Sequence, residues 1–222
     1  ALAWNGGDDH EDSYVNVVAA AENQPIVFQR LTDTADTPRS RIKVLALDDR
    51  FVFLGEASVA TDLEMARLIP ASDESVTVVG TLYSGNNGAY AACRVAGANE
   101  FVTAVNVSGT VTIRRWNASG VQQGSDITIA ANAGYIALEA SSSANQLVVL
   151  LNVSGTVTAY GYNLSTGAAI GNAAAFGGDT CVEIGLCRIS STVVQAVASV
   201  SSSSPEVTVK TNRYTVASNT FA

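Results

Sequence analysis

A seven-residue element occurs twice in this chain, and no other feature constrains the fold as strongly. The element NVSGTVT begins at Asn106 and again at Asn152, an offset of 46 residues. The flanking residues Asn99 and Asn145 keep the same offset. A repeat of about 40–50 residues is typical of architectures in which one small unit is copied and each copy buries its apolar faces against the next.

Weaker copies extend the repeat along the whole chain. One position recurs in five segments, as Leu31, Leu68, Trp116, Tyr162 and Tyr214. Five copies within 222 residues average about 44 residues each, which is within the usual length of a propeller blade.

Each copy divides into short segments with the composition of β-strands. In the copy that is easiest to delimit these segments are 89–95, 100–107, 110–117 and 125–131, and in the next copy they are 135–140, 146–153, 156–163 and 168–176. Val, Ile, Thr and aromatic residues fill the segments, whereas Gly, Asn, Ser and Asp separate them. The Ser-Gly pairs at 108–109 and 154–155 predict tight turns, since glycine tolerates a positive φ. The segment 62–69 has some helical periodicity, but its alignment with the Trp116 segment predicts a strand.

The repeat therefore predicts an all-β fold, a β-propeller of about five four-stranded blades. The segments 100–107 and 146–153 are apolar on both faces, as expected for strands that are covered on both sides. A Greek-key β-sandwich is the alternative, but that fold needs no sequence repeat. We expect a single propeller-like domain over residues 1–222, either from a chain whose initiator methionine has been removed or as a fragment of a larger chain.

Two segments of the repeat carry motifs known from other proteins. The run 115–120, Arg-Trp-Asn-Ala-Ser-Gly, followed by Gly124, is similar to propeller-type repeats of large bacterial surface and secreted proteins. The segment 154–163, SGTVTAYGYN, resembles the strand pairs of the tail-nozzle propellers of short-tailed phages. Both motifs are structural, so the resemblance implies the fold and says little about activity. The next copy departs from the first motif, because Gly161 stands where Arg115 is expected.

Composition disfavours several classes of partner. A net charge of −8 disfavours nucleic acid, since an acidic surface repels phosphates. No apolar run reaches the roughly 18 residues of a membrane span, and we find no signal-peptide pattern. Three cysteines do not make an even set for a disulfide framework. We expect all three, Cys93, Cys181 and Cys187, to be buried, reduced thiols.

No set of residues has the spacing of a known catalytic, metal or cofactor site. The chain has one histidine, His10, but no G-x-S-x-G nucleophile motif with which it could form a catalytic site. The acidic residues Asp8, Asp9, Glu11 and Asp12 lack the order of a calcium-binding loop, so we interpret this segment as a solvated loop. We therefore expect no enzymatic activity, no bound metal and no cofactor.

Carboxylates on inner strands are the remaining route to catalysis. Glycosidases built on five-bladed propellers use such carboxylates at the central mouth of the ring. The candidates here are Asp48, Glu100, Glu139 and Glu183. We interpret the last two as polar residues that face the channel or a neighbouring blade.

Loops between the copies are the candidate binding surfaces. They supply four candidate ligand-binding residues, Asn86, Asn87, Asn132 and Asp179. Small polar side chains suit sugar hydroxyls, and they suit tight turns equally well. Four N-x-S sequons, at Asn106, Asn117, Asn152 and Asn163, recur with the repeat. We therefore interpret them as turn-forming residues and not as glycan acceptors.

These observations favour a non-enzymatic structural or docking module of a larger extracellular assembly, such as a phage tail or a bacterial surface protein. Its expected partners are other proteins of the assembly or further copies of this chain, and its expected location is extracellular or in a virion. A sugar-binding lectin, with a glycan as partner, and a glycoside hydrolase are the two alternatives. Neither nucleic-acid binding nor membrane insertion is expected.

Overall fold

A computed structural model describes residues 2–5, 13–16, 29–30, 39–57, 62–69, 77–85, 87–177, 180–200, 208–218 and 220–221. Side chains before Lys43, and those of residues 56, 57 and 87, lie outside this description. The chain divides into two compact units, residues 1–87 with 118–120, and residues 88–117 with 121–222. Every regular element within the described residues is a β-strand, so the prediction of an all-β fold is confirmed.

The first unit holds two antiparallel sheets. Blade 1 is a three-stranded sheet of β1 (Leu2–Asn5), β2 (Ser13–Asn16) and β3 (Gln29–Arg30). Blade 2 is a four-stranded sheet of β4 (Arg39–Ala46), β5 (Phe51–Ala57), β6 (Leu63–Leu68) and β7 (Thr77–Tyr83). The segment 62–69 therefore contains a strand, as its alignment predicts. Its side chains Leu63 and Met65 are fully buried.

The second unit holds three blades in sequence order, of which blades 3 and 4 are joined into one eight-stranded sheet and blade 5 is a separate four-stranded sheet. Blade 3 consists of β8 (Asn87–Ala96), β9 (Glu100–Val107), β10 (Thr110–Asn117) and β11 (Gln122–Ile129). Blade 4 consists of β12 (Tyr135–Ser141), β13 (Gln146–Val153), β14 (Thr156–Asn163) and β15 (Ala174–Ala175). Blade 5 consists of β16 (Cys181–Arg188), β17 (Val193–Val200), β18 (Thr208–Thr215) and β19 (Thr220–Phe221). In each blade, consecutive strands pair antiparallel in chain order.

The fourth strand of blade 4 is much shorter than the sequence predicts. Only Ala174 and Ala175 of the predicted segment 168–176 form a strand, opposite Ala159 and Thr158. Positive φ at Gly167 and Gly171 takes the chain out of the extended conformation before the strand begins.

The recurring apolar position occupies the same place in each described blade. It lies opposite the second strand, in the pairs Leu68–Phe51, Trp116–Phe101, Tyr162–Leu147 and Tyr214–Val194. The first of the five, Leu31, lies outside the described residues. Four equivalent positions in four blades show that the sequence repeat is a structural repeat.

The Ser-Gly hairpins have the geometry that the sequence predicts. Ser108 and Gly109 have φ values of 50° and 84°, and Ser154 and Gly155 have values of 50° and 89°. Positive φ at both turn positions makes a type I′ turn, whose twist matches that of the flanking strands. At Gly155 a side chain is excluded for a second reason, because a Cβ would lie 2.6 Å from Thr180 Cγ2.

The strand β13 is buried on both faces, one against blade 3 and the other against blade 5. Its odd-numbered residues, such as Leu147 and Val149, belong to an apolar cluster shared with blade 3. Its even-numbered residues Val148 and Leu150 belong to a second cluster, shared with blade 5. Since successive strand residues point to opposite faces, this one apolar strand fills two cores. A blade without both neighbours would leave one of these faces in water.

Candidate functional site

The first strands of blades 3, 4 and 5 lie side by side. β12 pairs with β8 in parallel, with Ala140 opposite Val95 and Ser141 opposite Ala96, and β12 also packs along β16. Parallel contact between the first strands of successive sheets is what a radial arrangement of blades produces. The side chains of these strands therefore form the inner side of the unit.

Glu139 and Arg188 form an ion pair across two of these inner strands. Arg188 Nε donates to Glu139 Oε1 at 2.9 Å, and the two side chains are 14% and 18% exposed. The alternation of β12 explains the direction of Glu139: Leu138 and Ala140 belong to the core shared with blade 3, so Glu139 points towards blade 5. A carboxylate in this position is held by a partner 49 residues further along the chain.

The guanidinium of Arg188 is fixed by four acceptors. Besides Glu139 it donates through Nη1 to Gln146 Oε1 at 3.5 Å, to Ser190 O at 3.3 Å and to Ser191 O at 3.2 Å. Its buried Nη2 has no hydrogen-bond partner within the described part of the chain. The network therefore orients Arg188 and, through it, the Glu139 carboxylate.

The other three candidate carboxylates lie in different settings. Glu183 is exposed on the first strand of blade 5, where its backbone N–H donates to Ser199 Oγ at 2.9 Å. Glu100 begins β9, outside the inner strands, and its Oε2 lies 3.3 Å from Arg115 Nε. Asp48 is exposed in the turn that follows β4. Glu139 and Glu183 are thus the two carboxylates that the described structure places on adjacent inner strands.

The predicted ligand-binding residues are only partly described. Asn86 and Asp179 lie outside the described residues, and Asn87 is described as the first residue of β8 without its side chain. Asn132 lies exposed in the loop between β11 and β12, and its Oδ1 accepts a hydrogen bond from Asn106 Nδ2 at 2.9 Å. A shared ligand site for these four residues stays a prediction.

Two of the four sequon asparagines join neighbouring blades. Asn152 is 3% exposed. Its Nδ2 donates to Cys181 O at 2.8 Å and to Val182 O at 2.9 Å, and its Oδ1 accepts from Gly155 N–H at 2.8 Å. Asn106, 5% exposed, donates to Ala133 O at 2.8 Å in the equivalent place. Each asparagine thus binds the chain as it enters the next blade, and its buried amide nitrogen is not open to glycan attachment.

The other two sequon asparagines form turns. Asn163 Oδ1 accepts hydrogen bonds from the backbone and hydroxyl groups of Ser165 and Thr166, at distances of 2.9–3.2 Å. Asn117 Oδ1 accepts from Val121 N–H at 3.0 Å. Side chains that mimic a backbone turn in this way are what the sequence interpretation requires.

The cysteines differ from the prediction in one respect. All three are free thiols, but only Cys181 is buried, Cys93 is half-buried and Cys187 is exposed. The pattern of β16 explains the error, because its second half alternates weakly and turns Cys187 to solvent.

The segment with His10 and the neighbouring acidic residues lies outside the described residues. Within the described ranges, no three His, Cys, Asp or Glu side chains come together in a way that could hold a metal ion. Over those ranges the structure also contains no helix long and apolar enough to cross a membrane.

Solved structures similar to this chain are β-propellers. No family model and no curated protein matches the sequence. The Dos1 propeller matches with a TM-score of 0.63 and 7% identity, over 99% of this chain and 55% of that chain. An exo-β-1,3-galactanase from Phanerochaete chrysosporium matches with a TM-score of 0.54 and 12% identity, over 94% and 53%. An α-L-arabinofuranosidase from Clostridium thermocellum matches with a TM-score of 0.50 and 8% identity, over 79% and 68%. The chain spans about half the length of the first two.

These comparisons contradict the prediction of a non-enzymatic structural or docking module. The similar structures include several glycoside hydrolases, which favours the hydrolase alternative instead. Sequence analysis named candidate carboxylates but could not group them, because residues that come from different blades have no fixed spacing. At identities of 15% or less the likeness itself concerns the fold. The predicted fold class is confirmed: the chain is an all-β protein of the β-propeller type.

Proposed function

We propose that this chain forms the propeller of a glycoside hydrolase that acts on a galactan or arabinan type of polysaccharide. The observation that carries the proposal is the position of Glu139, a mostly buried carboxylate on an inner strand, held by Arg188 of the next inner strand. The similarity in fold to a galactanase and an arabinofuranosidase supports the choice of substrate class.

Hydrolysis of a glycosidic bond needs two carboxyl groups. One protonates the leaving oxygen, and the other activates water or attacks the sugar. We assign one of these roles to Glu139, and we test the exposed Glu183 of the adjacent inner strand for the other. In this proposal Arg188 is a positioning residue, since it touches the Glu139 carboxylate and fixes its direction.

The proposal includes an extracellular location, because a polysaccharide substrate is met outside the cell. The resemblance to surface-protein repeats and to phage tail-nozzle propellers concerns only the fold, so it is compatible with this proposal.

The test is hydrolysis by the full chain of β-1,3-galactan, arabinan and the matching 4-nitrophenyl glycosides, followed by release of reducing ends or nitrophenol. Glu139→Gln and Glu183→Gln should each lower kcat/KM by at least about 100-fold, the usual contribution of an acid or base. Arg188→Lys keeps the charge but loses the planar fork, so it should lower kcat with little change in KM.

Asp49→Asn is the matched control. It also removes a carboxylate from an arginine pair, Asp49–Arg50 at 2.6 Å, but one whose carboxylate is 47% exposed. Thermal unfolding of each variant separates lost activity from lost folding. The proposal is wrong if the wild-type chain cleaves none of these substrates, or if the double variant of Glu139 and Glu183 keeps wild-type activity.

A further inference from the structure

A shallow cavity of about 40 Å³ lies between blades 3 and 4, away from the inner strands that carry Glu139 and Glu183. A water molecule needs about 10–15 Å³ measured in this way, so the cavity has room for about three waters or for one edge of a small ligand. Its lining comes from two adjacent rows of blade 3 and from the turn after β14, residues 164–167.

The register of blade 3 explains how the cavity is built. Across β9, β10 and β11 the residues Val102, Arg115 and Gln123 lie opposite one another. Ile113 and Ile127 form part of the adjacent row. The floor is therefore apolar, and one end of it carries two polar side chains.

A β-bulge shapes the rim. Between the pairs Ile113–Ile127 and Arg115–Gln123, β10 has one intervening residue and β11 has three. The extra length pushes Gly124 and Ser125 out over the cavity, and bulges of this kind commonly redirect side chains beside binding sites.

An ion pair holds the bulge in place. Arg114 donates through Nε to Asp126 Oδ1 and through Nη2 to Asp126 Oδ2, both at 3.0 Å. Gln122 Nε2 adds a third hydrogen bond to Asp126 Oδ1 at 2.7 Å. These three hydrogen bonds to the Asp126 carboxylate stabilise the conformation of the bulge.

The cavity offers unused hydrogen-bonding groups of both kinds. Arg115 Nη1 donates to Leu164 O at 3.1 Å, and within the described residues the buried Arg115 Nε makes no hydrogen bond. Gln123 uses its amide nitrogen on Val121 O and Gln122 O, which leaves its Oε1 as an acceptor. Ser125 lines the cavity and adds a hydroxyl that can donate or accept.

The charge balance decides between an anion and a neutral ligand. Glu100 Oε2 lies 3.3 Å from Arg115 Nε, so the arginine charge is already balanced and a free anion gains little net attraction. An apolar floor with donors and acceptors at one end suits a sugar, which has an apolar C–H face and hydroxyl groups at its edge. We propose that this cavity is a secondary binding site for the edge of one neutral sugar residue. The proposal goes beyond the proposed function, since binding here needs neither hydrolysis nor Glu139.

The experiment is an NMR titration of the ¹⁵N-labelled full chain with methyl β-galactopyranoside and methyl α-L-arabinofuranoside. So small a cavity predicts weak binding, with Kd on the order of 1 mM. Shift changes should map to the amides of residues 123–125 and 165–167. Gln123→Ala and Ser125→Ala should each weaken binding about five-fold, the effect of one hydrogen bond.

Thr128→Ala is the control, because Thr128 is an exposed residue of the same strand next to Ile127 and does not line the cavity. It should leave Kd unchanged, and the spectra themselves report whether each variant is folded. Repeating the titration in Glu139→Gln separates this site from the proposed active site: shifts at 123–125 should persist there. The proposal is overturned if both sugars leave residues 123–125 and 165–167 unshifted, or if inorganic phosphate shifts them and the sugars do not.

Discussion

Replacing the buried Asn152 with alanine should destabilise blades 4 and 5 more than the same replacement of an exposed asparagine. The side chain makes three hydrogen bonds: a buried one to Cys181 O, and two partly buried ones, to Val182 O and from Gly155 N–H. At about 1 kcal/mol for each of the three bonds, the free energy of unfolding should fall by about 3 kcal/mol.

Two other asparagines serve as graded controls. Asn106 makes two such bonds, to Asn132 Oδ1 and Ala133 O, and its own buried Oδ1 lacks a partner among the described residues. Removing that unpaired oxygen offsets part of the loss, so Asn106→Ala should cost about 1–2 kcal/mol. Asn132 is exposed and gives up one acceptor, so Asn132→Ala should cost about 0.5 kcal/mol.

Urea unfolding followed by circular dichroism measures the three losses. Hydrogen exchange locates the first, because the amide of Cys181, which donates to Gly155 O at 2.8 Å, should lose protection in Asn152→Ala. If Asn152→Ala and Asn132→Ala differ by less than about 0.5 kcal/mol, the buried asparagine does not join the blades and the reasoning fails.

Three further changes follow from buried or paired groups. Gly161→Ala should lower the free energy of unfolding by about 1–3 kcal/mol, the usual cost of overpacking, because its Cβ would lie 3.2 Å from Tyr214 Oη; an unchanged melting temperature would contradict this. Burial raises the pKa of Tyr214 to about 12. The stability that comes from burying the neutral hydroxyl is therefore complete below about pH 10 and is lost as the pH rises towards 12. Tyr214→Phe should weaken this alkaline loss of stability when unfolding is measured as a function of pH. The hydrogen bond from Arg114 lowers the pKa of Asp126 below its usual value; its stabilisation of the bulge is present above pH ~4 and is lost below it, which an NMR titration of residues 124–126 would show and Asp126→Asn would abolish.

The repeat allowed most strands to be predicted because the relevant forces are local. The segments 100–107, 110–117, 146–153 and 156–163 coincide with β9, β10, β13 and β14. A β-branched run ended by Ser-Gly favours a tight hairpin turn, since glycine adopts a positive φ without strain. The prediction was wrong for 168–176, where Gly167 and Gly171 take the chain out of the extended conformation and only Ala174 and Ala175 form a strand.

The sequence indicated only one of the two residues in the ion pair of the candidate site. Glu139 was recognised as a carboxylate on a first strand, but its partner Arg188 was not. A signal did exist, since a Cys-Arg pair recurs at 93–94 and 187–188 on the first strands of blades 3 and 5. Nothing local indicates which of these arginines faces a carboxylate, so the pairing could not be derived.

The sequence by itself determined the strands, the turns and the copying of one unit, because these depend on residues within a few positions of one another. The tertiary structure alone decided what each repeated residue does. Arg115 borders a cavity, whereas a Cβ at the equivalent Gly161 would lie 3.2 Å from Tyr214 Oη, in tight contact. The two positions differ because each blade face packs against a different neighbour. The space available to a side chain between two blades depends on the residues of both blades.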